Sequence, residues 1–130
     1  MSNQVRYHTD LRVWQSSRQL AITLYRTTEC FPGTETYALA DQIKRAAASI
    51  PANIAEGCGR GTTQELIRSL RVARGSLSEV HSHMTLAGDL GYISQAVASD
   101  LHSSISQLHR MLNALIASLQ CARRTRHGTR

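Results

Sequence analysis

Arginine is the residue type in this chain whose number and spacing indicate a possible binding chemistry. The sequence contains 14 Arg but a single Lys, and its formal net charge is +6. Four of the arginines form a line in the middle of the chain: Arg60, Arg68, Arg71 and Arg74. A guanidinium group binds a phosphate through two parallel hydrogen bonds, so the line predicts contact with RNA or DNA phosphates. The line contains no aromatic residue, which favours contact with the nucleic-acid backbone over base stacking. The alternative is an ordinary solvated helix surface with local ion pairs worth ~0.3 kcal/mol each.

A second basic group lies at the C-terminus, where Arg123, Arg124, Arg126 and Arg130 occupy the last eight residues. We expect residues 123–130 to form a disordered basic tail. Such a tail could add a salt-sensitive contact to nucleic acid or to another acidic partner, and it could equally serve solubility alone.

A polar stripe runs along the segment before the arginine line. At helical spacing Arg45, Ser49, Asn53 and Glu56 share one narrow face, opposite the apolar residues of the same segment. The stripe could be a solvated face or a subunit interface. We favour the interface, because alanines flank the stripe, and because Arg45 and Glu56 are ~16 Å apart along a helix and cannot pair with each other. Each charge would then need a partner from a neighbouring subunit.

Gly75 supports the same interface prediction. A glycine in the middle of a helix costs ~1 kcal/mol relative to alanine. It lies opposite the apolar seam of its helix, so we expect another helix to approach closely there.

No residue group indicates catalysis or a metal centre, and we predict a non-enzymatic protein without a cofactor. Glu56 has no nucleophile or base at a useful spacing. The pairs Glu79/His83 and His102/His109 lack the Glu-x-x-His pattern of metal sites inside helix bundles. The glycine-rich turn at 57–61 does not have the spacing of a phosphate-binding loop. Three cysteines without Cys-x-x-Cys spacing are typical of reduced thiols.

Four amphipathic blocks account for most of the chain, at about residues 11–30, 35–56, 62–90 and 94–122. Blocks three and four repeat apolar residues at alternating spacings of four and three, from Leu66 to Ala87 and from Leu101 to Leu119. Short connections imply antiparallel neighbours. We therefore predict an all-α, up-down-up-down four-helix bundle over residues 10–122, after a flexible segment at 1–9.

Individual residues predict how the blocks begin, end and bend. Asp10 is expected to cap the first helix, and Pro51 to kink the second. Thr62 and Glu65 fit a capping box, and Gly91 is placed to end the third helix. The N-terminus lacks the apolar core of a signal peptide and no apolar run is long enough to span a bilayer, so we expect a cytoplasmic protein without a membrane partner.

Several motifs resemble one family of bacterial four-helix bundles. They are Asp10-Leu11-x-Val13-Trp14, the segment Ser49-Ile50-Pro51-x-Asn53-Ile54-Ala55-Glu56-Gly57, Gly75-Ser76-Leu77-x-Glu79 and Asp89-Leu90-Gly91-Tyr92. The family was first noted in intervening sequences of large-subunit ribosomal RNA genes, and the resemblance covers roughly residues 10–93. It implies a small non-enzymatic bundle that assembles into a homo-oligomeric ring, expected to be a pentamer. It also implies distant kinship with the accessory protein of diversity-generating retroelements, which binds nucleic acid together with its reverse transcriptase.

Two functions follow as hypotheses. The first is an oligomeric adaptor that holds RNA or DNA by phosphate contacts through its arginines. The second is a protein-binding scaffold in which the arginines only keep the assembly soluble. They differ in salt dependence, because phosphate contacts weaken steeply as salt rises.

Overall fold

The computed structural model describes residues 8–128, with side chains to Arg124. A 3-10 turn at His8–Asp10 precedes α1, Arg12–Thr28, and a second 3-10 turn at Gly33–Thr36 precedes α2, Leu39–Gly59. Helices α3, Thr63–Asp89, and α4, Gln95–Gly128, complete the chain. The described residues contain no strand, which confirms the all-α prediction.

The helices pack in chain order around one apolar core. Helix α2 packs most extensively on α3, then α1 on α2 and α3 on α4, whereas α1 and α4 touch over a smaller area. The connections are short, so each helix runs antiparallel to the next, as in an up-and-down four-helix bundle. The prediction of this fold is confirmed.

The core contains the predicted apolar positions, with a shift of one residue at two places. Ile67 is buried in the first turn of α3 where Leu66 was expected, and Ile116 is buried in α4 where Leu115 was expected. A straight helix has 3.6 residues per turn, so a strict seven-residue pattern drifts by ~20° per repeat. In α4 this drift brings Leu115 and Ile116 to the two edges of the core-facing stripe, and Ile116 is the one that is buried. The burial of Ile67 in α3 does not follow from this drift.

Two of the predicted helix ends are confirmed. The Thr62 side chain accepts a hydrogen bond from the Glu65 amide at 3.2 Å. Gly91 has φ +79°, and Tyr92 N donates to Ala87 O at 2.9 Å, which is the Schellman arrangement after a helix end.

The prediction for the start of α1 is wrong. Asp10 lies in the 3-10 turn, and the residue at the N-cap position is Leu11, which makes no side-chain capping bond. The turn takes over the capping role through the backbone, since Leu11 N donates to His8 O at 3.0 Å.

Helix α2 continues through Pro51 and on to Gly59, whereas the sequence predicted a turn from Gly57. Gly57 is buried inside the helix because α3 crosses it closely. A Cβ added to Gly57 would lie 2.6 Å from Ser69 Cβ and 3.2 Å from Leu66 Cδ1. The connection to α3 is instead made by residues 60–62, with Gly61 at φ +89°. The kink at Pro51 stays a prediction.

Helix α4 also extends beyond its predicted end. It runs to Gly128, so most of the segment for which we expected a disordered tail is helical. Alanine, glutamine and arginine are good helix formers, and nothing in residues 120–127 breaks the helix. Residues 1–7 and 129–130 lie outside the described residues.

None of the helices in the described part of the chain is both long and apolar enough to cross a membrane.

Candidate nucleic-acid interface

Charge is separated along the α3–α4 pair. The first part of α3 with its preceding turn, residues 60–75, lies beside the C-terminal part of α4, residues 110–124, because the two helices are antiparallel. We call this the arginine end. It contains one acidic residue, Glu65, and seven arginines, at positions 60, 68, 71, 74, 110, 123 and 124.

The other end of the same helix pair, residues 76–109, contains no Lys or Arg. We call it the histidine end. Its charged residues are Glu79, Asp89 and Asp100, and it carries four histidines, at positions 81, 83, 102 and 109. A polyanion is therefore attracted to one end of the helix pair and repelled from the other.

Arg68 and Arg71 are exposed on α3, as the sequence predicted. Neither forms an ion pair with any acidic residue in the described part of the chain. Their guanidinium groups are thus available to an external phosphate.

Arg74 and Arg60 are placed differently from the other two arginines of the line. Arg74 is half-buried, and its Nη1 donates to Asn113 Oδ1 of α4 at 2.9 Å. Arg60 pairs with Glu56, with Nη2 and Oε2 2.7 Å apart, and this hydrogen bond raises the pKa of the Arg60 guanidinium. Part of the charge of Arg60 is therefore neutralised inside the protein, so it is a weaker phosphate ligand than Arg68 or Arg71.

The C-terminal arginines lie beside the arginine line. Arg123 Nη2 donates to Gln64 Oε1 of α3 at 3.3 Å, and Gln64 is one helical turn before Arg68. Arg124 is exposed next to it. The structure thus brings together two basic groups that are about 50 residues apart in sequence. The side chain of Arg126 lies outside the described residues.

The polar stripe of α2 does not need partners from another subunit, which corrects the argument made from its spacing. Arg45 Nε lies 2.8 Å from Asp41 Oδ2, and Glu56 pairs with Arg60. The partners of each pair are four residues apart in sequence and largely exposed, so each pair contributes little to stability.

The two uncharged residues of the stripe are also satisfied within α2. Ser49 Oγ donates to Ala46 O at 2.7 Å, and Asn53 Nδ2 donates to Ser49 O at 2.7 Å. The interface role of the stripe stays a prediction, now supported only by the small exposed alanines at 48 and 52.

Gly75 faces open space. Among the described residues, no side-chain or backbone atom outside its own helix turn lies within 4 Å of a Cβ built on it. The close approach that we expected at Gly75 is therefore not made by another helix of the same chain.

A row of polar contacts between α3 and α4 was missed by sequence reasoning. It includes Arg74 with Asn113, and Ser78 Oγ with His109 Nε2 at 3.2 Å. In each of these pairs, and in Gln64 with Arg123, the two residues are equally far in sequence from the connection at residues 93 and 94. Antiparallel helices joined by a short loop place such residues side by side, so loop position could have predicted the pairs.

His109 is partly buried in this row. Desolvation lowers its pKa, and the nearby Arg74 and His81 lower it further. A lowered pKa keeps the imidazole neutral at pH 7, so His109 adds no charge to the arginine end.

An apolar groove lies between α1 and α2, away from the arginine line. It has a volume of about 510 Å³ and is lined mainly by Trp14, Ala21, Ile22, Tyr25, Ala48 and Pro51, with Arg18 and Arg26 at its rim. Tyr25 is 43% exposed. The sequence analysis did not identify this groove, because its residues come from two helices and follow no single period.

The described residues form a small all-α bundle of four helices with one basic end. Residues 9–114 match the family of 23S rRNA-intervening sequence proteins. The chain is therefore a member of that family, as the sequence motifs indicated.

Solved structures share the fold. One of them is a protein of unknown function from the S23 ribosomal protein family of Bacteroides thetaiotaomicron, which aligns over 81% of this chain and 95% of its own length. The TM-score is 0.74 at 20% sequence identity, so the likeness shows the fold alone. No curated protein matches the chain.

Proposed function

We propose that this protein is a non-enzymatic, homo-oligomeric adaptor of the cytoplasm that binds the phosphates of RNA or DNA. The observation that carries the proposal is the arginine end, where the line on α3 and the C-terminal part of α4 form one basic surface. Arg68, Arg71, Arg123 and Arg124 are the expected phosphate ligands. No cofactor is required for this activity.

The chemistry of the surface favours contact with the phosphate backbone over reading of bases. Residues 60–75 and 110–124 contain no aromatic side chain, so bases have no ring on which to stack. Arginine supplies bidentate contacts to phosphate, and each neutralised phosphate releases counterions. Binding should therefore depend strongly on salt and weakly on sequence.

Oligomerisation would multiply these contacts. The exposed alanines of α2 and the open space at Gly75 leave room for a second copy to approach. If several subunits present their arginine ends to one nucleic acid, the contacts add and the affinity rises steeply. The pentamer expected from the family resemblance is part of this proposal.

The experiment is size exclusion with light scattering, with and without a structured RNA, at about 50 and 300 mM salt. We expect one oligomeric species that carries RNA at the lower salt and releases it at the higher. An oligomer that ignores RNA at both concentrations would overturn the nucleic-acid part of the proposal. A monomer at all concentrations would overturn the oligomeric part.

Gly75→Ala tests whether another subunit covers this position. If Gly75 faces solvent in the assembly, alanine should raise the free energy of unfolding by about 0.5–1 kcal/mol, since the Cβ meets nothing and helix propensity improves. If a second copy packs on it, as we expect, the added methyl group should weaken assembly instead. Sedimentation of dilution series of both proteins, together with urea unfolding, separates the two results.

The apolar groove between α1 and α2 favours a second candidate function, a protein-binding scaffold. Grooves lined by Trp and Tyr and rimmed by Arg are typical of protein interfaces. In that case Trp14→Ser should abolish capture of a protein partner at any salt, while Arg68→Ala should leave it unchanged. Pull-down with both variants at about 300 mM salt, where phosphate contacts are weak, distinguishes this function from the first.

A further inference from the structure

The histidine end contains a pair of side chains that the proposed function does not use. His81 Nε2 on α3 lies 3.2 Å from His102 Nδ1 on α4, and the two ring centres are 5.1 Å apart. Both side chains are exposed to solvent. The two residues are 21 positions apart in sequence, and only the antiparallel packing of the helices brings them together.

We propose that His81 and His102 form a two-histidine site for a divalent transition-metal ion, which links α3 to α4. The inference goes beyond the proposed function and does not depend on it. Imidazole nitrogen is a preferred ligand of Zn²⁺, Ni²⁺ and Cu²⁺.

The distances fit two ligands of one ion. A tetrahedral ion holds imidazole nitrogens at ~2.0–2.1 Å, which places two such nitrogens ~3.3 Å apart and the ring centres ~5.2 Å apart. The observed separations are 3.2 Å and 5.1 Å. A collinear N–H···N hydrogen bond of the same length would place the ring centres ~5.5 Å apart, because each nitrogen is ~1.1 Å from its ring centre. The two rings are therefore not aligned head-on, and their separations match those expected for two ligands of one ion.

The surroundings favour a cation. Residues 76–109 contain three acidic residues and no Lys or Arg, so the local charge attracts a metal ion. An open cavity of about 350 Å³ adjoins the pair and is also lined by Thr85, Asp89 and Ser99. The cavity gives water access to the remaining coordination positions. Within the described residues no third His, Cys, Asp or Glu joins the pair, so the ion would keep solvent ligands.

A metal ion bound here would stabilise the fold by joining two helices. Because the unfolded chain does not hold the two histidines together, binding favours the folded state by linkage. At a free metal concentration ten times the dissociation constant, the ratio of folded to unfolded protein rises about elevenfold.

The test uses the untagged full chain with NiCl₂ or ZnCl₂ as the probe. Calorimetry is expected to give one ion per chain, and urea unfolding at saturating metal should show a higher midpoint that EDTA reverses. His81→Gln and His102→Gln should each lose both effects. As a second readout, Ni²⁺ should broaden the imidazole NMR signals of these two rings before those of the other histidines.

The matched control is His83→Gln. His83 is the other histidine in this part of α3, and it pairs with Glu79 on the same helix at 3.3 Å. We expect His83→Gln to bind metal like the wild-type chain. Loss of binding in His83→Gln with retention in His102→Gln would place the ion at the Glu79–His83 pair and overturn the proposal. Equal binding by all three variants, as cysteine ligation would give, or no binding at about 1 mM metal, would overturn it as well.

Discussion

Gly57→Ala is expected to lower the free energy of unfolding by about 1–3 kcal/mol, although alanine is the better helix former. The Cβ of the new alanine would lie 2.6 Å from Ser69 Cβ, a distance that requires α2 and α3 to move apart. This is the most extensive helix contact of the bundle, so the strain spreads into the core. Urea unfolding of the purified protein measures the change.

Gly59→Ala is the matched control for this prediction. Gly59 lies in the last turn of the same helix, and a Cβ there meets no atom within 4 Å. We expect alanine at 59 to be neutral or to stabilise the protein by up to about 1 kcal/mol. Ser69→Gly in the Gly57→Ala background should recover part of the lost stability, because it removes the atom that clashes. Similar results for the alanine variants at 57 and 59 would contradict a close helix crossing.

The triple variant Arg68→Ala/Arg71→Ala/Arg124→Ala is expected to weaken RNA binding on the order of 10²-fold at about 100 mM salt. Each lost phosphate contact lowers the slope of log affinity against log salt by ~0.7 for a single strand and ~0.9 for a duplex. Three contacts should therefore reduce the slope by about 2–3. Fluorescence anisotropy over a salt series measures both quantities.

An equal change of charge on α1 provides the control for the arginine variant. Arg12→Ala/Arg18→Ala/Arg26→Ala removes three exposed arginines, two of them at the rim of the apolar groove. We expect a small loss of affinity through the lower net charge and little change in slope. Equal losses in the two triple variants would mean that only net charge matters, and would contradict a defined site at the arginine end.

The helices and most of the core could be predicted because apolar residues recur at helical spacing. Helix ends were less predictable where packing between helices, or a backbone hydrogen bond, determined the end instead of a local side chain. Gly57 was expected in a turn because glycine is common there, but close packing against Ser69 also requires a residue without a side chain. Asp10 was expected as a cap, and a 3-10 turn took its place.

The candidate site was predicted in part. The spacing of the arginines identified those that are exposed on α3. The expectation that Arg45 and Glu56 pair with residues of a neighbouring subunit was wrong, because each has an opposite charge four residues away in its own chain. Arg45 pairs with Asp41 and Glu56 with Arg60, and in both pairs the partner is four residues away in sequence. The contact between Arg123 and Gln64, and the histidine pair, depend on the register between α3 and α4, which no pattern within a single helix determines.

The separation of charge along α3 and α4 also affects the rate of association with a polyanion. Positive charge at one end of the helix pair and negative charge at the other give the molecule an electric dipole along its length. The field of a nearby polyanion turns such a molecule before contact, so that more collisions begin in a productive orientation and association accelerates. In the proposed adaptor, the acidic, histidine-bearing end of each helix pair would then point away from the bound polyanion.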